Sequence, residues 1–192
     1  MTLLMLGIVL FLGAHAFTMA REPRAGAVAR LGEGGFRIAY SVVSLIGLLL
    51  IAHGYGVYRA TGWIALWNPP VWTRHLALLL NLPVFVLLAA AYLPGKIKAA
   101  TKHPMLLAVK IWASAHLLAN GDLGSVLLFG GFLAWAVAAR ISLKRRPGVV
   151  IAAATGFGRN DMIAIAVGLA AYLAMAFWLH PLLIGVPVVA RS

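Results

Sequence analysis

Apolar residues along this chain come in long blocks rather than in the alternation of a half-buried strand. The blocks run over about 2–19, 38–58, 75–93, 104–119, 123–139 and 162–179. Roughly 20 apolar residues cover the hydrocarbon thickness of a bilayer, so these blocks predict membrane helices. The fourth and fifth are short, and little more than Asn120-Gly121-Asp122 separates them. A helix over 104–119 covers only about 24 Å. A tight helical hairpin over about 104–139 is therefore expected rather than two independent spans. His180-Pro181 and a short apolar tail to Arg191 follow the last block, the pattern of an interfacial piece. The expected fold is a single all-α integral membrane domain over 1–192, with about five to six transmembrane helices including that short hairpin.

Composition agrees with the pattern. Of the 192 residues, 63% are hydrophobic and 10% charged, and the mean hydropathy is +0.97. A soluble core of this size does not need so much apolar surface. The net charge of +12 raises the question of nucleic acid, but the basic residues cluster between apolar blocks, as membrane-flanking loops do. The lipid bilayer is the expected partner, and nucleic acid is not. There is no cysteine, which removes disulfides, iron–sulfur clusters and zinc–cysteine sites. Ala14-His15-Ala16 has the shape of a signal-peptidase site, but only Met1 and Thr2 precede the apolar run. A cleavable signal carries positive charge there, so an uncleaved first span is expected.

Loop charge sets the orientation. Arg21, Arg24, Arg30 and Arg37 follow the first span, and Lys96, Lys98 and Lys102 follow the third. Arg140, Lys144, Arg145, Arg146 and Arg159 follow the fifth. The opposite side holds only Arg59, Arg74 and Arg191. This bias predicts that both termini face away from the cytoplasm. Trp63, Trp67 and Trp72 then fall in an outer loop, where an interfacial aromatic belt belongs.

The four acids, Glu22, Glu33, Asp122 and Asp161, all fall in loops or at span ends. Paired-carboxylate catalysis is not expected, and neither a phosphate-binding glycine loop nor a serine nucleophile elbow is present. What remains is histidine: His15, His53, His75, His103, His116 and His180 all lie in or at the ends of spans. One reading makes them interfacial or hydrogen-bonded helix-end residues. The other makes some of them ligands of haem b, which needs one or two axial nitrogens and an apolar slot. His103 and His116 lie about 20 Å apart along one helix axis and cannot share an iron. His116 shares a helix face with Trp112 and Asn120, each four residues away. Trp112 could wall a planar cofactor. Lys110 could snorkel to the surface or meet an anionic group such as a propionate. His103-Pro104 reads as a helix start.

Several stretches resemble the NnrU family over almost the whole chain. They are Leu31-Gly32-Glu33 with Phe36-Arg37, Tyr40-Ser41, Val43-Ser44-Leu45, Leu66-Trp67, Pro69-Pro70 and Arg74-His75-Leu76. The most specific is His103-Pro104-Met105-Leu106-Leu107, running through Trp112 and His116-Leu117 to Asn120-Gly121-Asp122. That family is associated with bacterial denitrification, so the resemblance implies a role in nitrite or nitric oxide metabolism, with reductase components as partners. The pattern is also similar to plant 15-cis-zeta-carotene isomerases, which are membrane haem b enzymes. Their His-Pro is followed thirteen residues later by Ala-His, matched here by His103-Pro104 and Ala115-His116. This similarity implies His15 and His116 as axial ligands. The isomerases carry a cysteine where this chain has Ala113, which excludes a switch to a thiolate ligand here. A weaker similarity links the His-Pro segment to isoprenylcysteine-type membrane methyltransferases. Leu106 replaces their tyrosine and a basic run, Lys144-Arg145-Arg146, replaces their glutamates, so a related fold without that activity is implied.

The two ligand sets pull apart on depth. Loop charge puts His15 near the cytoplasmic end of its span and His116 near the outer end of its own. His53, His75, His116 and His180 lie together on the outer side and form the alternative set. Three functions stay open: a haem-binding protein of nitrogen-oxide metabolism, a non-catalytic factor for assembly or regulation of a reductase, and a haem-dependent carotenoid isomerase.

Overall fold

A backbone in hydrocarbon must satisfy its own polar groups, and in a chain of this composition helices do so within each segment. The computed structural model describes residues 1–145 and 156–188 and is helical throughout, apart from one isolated bridge. The helices are α1 (Thr2–Phe17), α2 (Arg21–Thr61), α3 (Val71–Tyr92), α4 (Lys96–Thr101), α5 (Pro104–Ala119), α6 (Leu123–Lys144) and α7 (Arg159–Ala174). A π-helical turn, Met175–Leu179, and α8 (His180–Ile184) follow. Four helical stretches are long and apolar enough to cross a membrane, and α1 and α5 are shorter apolar helices. The chain is an all-α membrane protein. Arg146 and Arg191, which entered the charge count, and the end of the apolar tail lie outside the described residues.

The structure differs from the apolar blocks in three places. The second helix starts at Arg21 rather than near 38, with Gly32 at φ 71°, ψ 164° breaking it into two pieces. A positive φ of this kind costs glycine little and other residues much. The sixth runs on to Lys144, because Arg140 and Lys144 extend the helix beyond its apolar part. The chain also divides into two compact units, and the two arms of the expected hairpin fall into different ones.

The first unit is Met1–Asn68 with Gly121–Ser142, that is α1, α2 and most of α6. α1 and α2 run antiparallel with small residues at their contact. Gly54 faces Leu4, Gly7 faces Gly47 and Ile51, and Gly47 faces Phe11. A Cβ on Gly7 would stand 2.6 Å from Ile51 N, and one on Gly47 would stand 2.8 Å from Phe11 N. Close packing of this kind is what associates helices where no hydrophobic effect operates between them. α6 lies parallel to α1: Gly131 meets Leu12 and Ile8, and the rings of Phe132 and Phe11 are 5.5 Å apart. At the other end the Tyr58 ring lies against Gly124. There the loop after α2 is pinned to the start of α6. Leu66 N and Trp67 N donate to Gly121 O (2.7 and 3.0 Å), and Leu123 N donates to Ile64 O (2.9 Å).

The second unit is Pro69–Asn120 with the described residues from Leu143 onward. α3 is its centre. α5 packs on α3 through Val84, Leu87 and Ala108, with Leu107, Ile111 and Trp112 around them. α7 packs antiparallel to α3, with Gly168 against Val86 and the Tyr172 hydroxyl donating to Leu78 O at 3.1 Å. One carboxylate joins two helix starts. Asp161, 2% exposed, accepts from Gly158 N (3.0 Å) at the start of α7. It also accepts from Lys96 N (3.0 Å) and Ile97 N (2.8 Å) at the start of α4. Three orphan helix-terminal N–H groups are satisfied by one side chain. A Cβ on Gly95 would stand 2.6 Å from Asp161 Oδ1, so glycine there admits the carboxylate.

Candidate functional site: the histidine environments

His15 sits in the last turn of α1, where helix geometry places its ring over the preceding turn. Its Nδ1 lies 2.7 Å from Phe11 O. A carbonyl only accepts, so Nδ1 carries the hydrogen, and in the neutral ring Nε2 carries the lone pair. No hydrogen-bond partner reaches Nε2 among the described residues. Aromatic groups from all three helices of the first unit surround the ring. Phe11 stacks on it with centroids 4.1 Å apart, Tyr40 of α2 lies at 5.3 Å, and Trp135 of α6 meets it edge-on at 5.4 Å.

Two polar atoms in this neighbourhood are orphaned. Trp135 Nε1 and Ser44 Oγ are both buried without a hydrogen-bond partner. The hydroxyl of Tyr40, one turn before Ser44, is near Ser44 Oγ. The α1–α2 register, with Gly47 opposite Phe11 and Gly54 opposite Leu4, puts Ser44 at the level of His15. A buried donor without an acceptor costs about 1–3 kcal/mol, and such groups in a folded protein point to an occupant that satisfies them. Sequence reasoning singled out His15 but missed Tyr40, Ser44 and Trp135. Tyr40 and Ser44 lie inside stretches that carry the family resemblance, yet nothing in the sequence marks either as approaching His15.

His116 has the same local arrangement in the second unit. Its Nδ1 donates to Trp112 O at 2.8 Å, and the two rings lie 5.1 Å apart. Asn120, the third residue expected on that face, donates through Nδ2 to His116 O at 2.8 Å. Trp112 itself packs on the α3–α5 core. His180 follows the π-helical turn, and its Nδ1 donates to Val186 O at 2.8 Å. A left-handed Gly185 at φ 74° turns the chain between them. π-Helical turns of this kind are concentrated at functional sites.

Of the alternative set, His75, His116 and His180 fall in the second unit and His53 in the first. His53 is exposed on α2 in the first unit, and His75 is exposed on α3. His103 caps the start of α5, with Pro104 at its first position. Lys110 is half-buried on α5. Among the described residues no three His, Asp or Glu side chains converge on a point suited to a bare metal ion.

A further polar group occupies the opposite end of the first unit. Asp122, fully buried, accepts from Ser125 N at 2.9 Å, and Ser125 Oγ is 2.7 Å from the Tyr55 hydroxyl. Asp122 had been placed in a turn, as it is, but its burial was not foreseen.

The family model described as NnrU protein matches residues 3–188 of the chain. No curated protein and no solved structure matches it.

Proposed function

The chain belongs to the NnrU family, and from that membership together with the histidine environments we propose that this membrane protein binds haem b in the service of nitrogen-oxide metabolism. One observation carries the haem assignment. His15 has Nδ1 fixed by Phe11 O, leaving Nε2 as the ligating atom, inside an aromatic wall that also holds the unpartnered Trp135 Nε1. A ligating imidazole characteristically donates its other N–H to a carbonyl or carboxylate, which fixes its tautomer and orientation. The residues present fit the group.

Bound haem would supply a one-electron iron couple whose potential depends on axial ligand and surroundings. The protein's part is separate from that chemistry. His15 and His116, the pair that the resemblance implies, are the residues that would hold the iron, each held in one tautomer by the carbonyl four residues earlier. Phe11 and Tyr40 beside His15, and Trp112 beside His116, would shield those imidazoles from water. Trp135 Nε1–H and Ser44 Oγ–H are donors for an acidic or carbonyl group. Lys110 on α5 is a candidate counter-charge for a propionate.

A second ligand set rests on its own observation. His116 and His180 both have Nδ1 tied to a carbonyl and belong to one unit. The full reading puts the chain in the bacterial cytoplasmic membrane with both termini periplasmic, supported by the loop charge bias.

Absorption spectra of the purified protein from haem-replete cells test the assignment. A Soret band, with α and β bands sharpening on reduction, is expected. His15→Ala and His116→Ala should each alter that spectrum while His180→Ala leaves it unchanged. Loss through His116 and His180 but not His15 selects the second set, and a colourless protein rejects haem.

A further inference from the structure

The first piece of α2, before the break at Gly32, lies almost wholly exposed and carries Arg21, Arg24 and Arg30. Pro23, Gly26, Ala27 and Arg30 share one face of it, at spacings of three and four. Together with Phe17 and Leu31 they line a cleft of about 490 Å³. Arg30 is the one charged residue in that lining.

Two neighbouring arginines are already committed. Glu33 lies 3.3 Å from Arg37 and 3.9 Å from Arg24, and the Arg24 guanidinium also sits 5.4 Å over the Phe36 ring. Arg30 has no carboxylate partner among the described residues. A guanidinium thus stands beside an open cleft whose other walls are apolar, with Phe17 and Leu31 both exposed. The cleft adjoins the part of α2 long and apolar enough to cross a membrane.

From this juxtaposition we propose that the cleft binds an anionic phospholipid, its phosphate on Arg30 and the first part of an acyl chain against Phe17 and Leu31. A guanidinium meets a phosphate with two parallel N–H donors, which an exposed ammonium cannot reproduce. The apolar walls select a lipid over a soluble anion, because a free phosphate leaves Phe17 and Leu31 in water. Anionic headgroups concentrate on the leaflet where basic segments collect.

Native mass spectrometry of the full chain in detergent, titrated with phosphatidylglycerol or phosphatidylcholine, decides it. The wild type should retain phosphatidylglycerol in preference to phosphatidylcholine. Arg30→Gln should weaken that retention about tenfold, the scale of a charge-assisted hydrogen bond. Leu31→Asn should weaken it too, whereas Arg37→Gln, which removes a group paired with Glu33, should leave it unchanged. Both altered positions are exposed, and a thermal melt confirms that each variant is folded. Equal retention of both lipids overturns the proposal, as does an Arg30→Gln protein that binds like the wild type. Displacement of the lipid by millimolar inorganic phosphate reduces the site to an anion contact and also overturns it.

Discussion

Trp135 Nε1 is the most informative single atom near His15, because it is buried with nothing to donate to. Removing an unsatisfied donor relieves its desolvation cost, which offsets the packing lost with the indole, whereas removing a satisfied one is costly. Trp135→Phe should therefore change the melting of ligand-free protein by less than about 0.5 kcal/mol. The same variant should lose haem faster than the wild type when challenged with an apo-globin acceptor, followed by absorbance. Equal rates of haem loss would separate the indole from the site. The histidines were legible in the sequence because imidazoles are conspicuous among apolar residues. Tyr40, Ser44 and Trp135 were not, because their approach to His15 depends on how three helices pack. Asp122 and Asp161 do fall in loops or at span ends, as the sequence reads, but their burial is not legible there because backbone N–H groups at helix starts replace water.

At the scale of the helix, the α1–α2 contact rests on glycines that bring the two backbones together. A Cβ on Gly54 runs into the backbone of Leu3 and Leu4, with no flexible side chain to yield. Gly54→Ala should destabilise the protein by about 1–3 kcal/mol through overpacking. Gly130→Ala, where nothing lies within 4 Å, is the control and should melt like the wild type. Apolar periodicity located most spans to within a few residues, since a block of lipid-compatible residues is a helix in a membrane whatever it packs against. It did not show that Arg21–Leu31 is helical, because Arg21, Glu22, Arg24 and Arg30 read as loop. Nor did it show which glycines meet a neighbour. No Gly-x-x-x-Gly spacing marks Gly47 and Gly54, and both the close approach and the break at Gly32 depend on three-dimensional context.

For the whole molecule, the untested expectation is orientation. The native chain has no cysteine, so single cysteines can be introduced against an empty background. Trp67→Cys, in the exposed loop after α2, should react with a membrane-impermeant maleimide in intact cells. Ala100→Cys, exposed on α4, should react only after the membrane is opened. The reverse pattern would invert the topology and with it the depths assigned to the histidines. The shared carboxylate of Asp161 carries a consequence of another kind. Lys96, Ile97 and Gly158 donate to the same two oxygens, although they are far apart in the chain. Withdrawing that side chain exposes all three amides at once. The beginnings of α4 and α7 should therefore open and close as a single cooperative step, and hydrogen exchange should show the two distant stretches losing protection in concert.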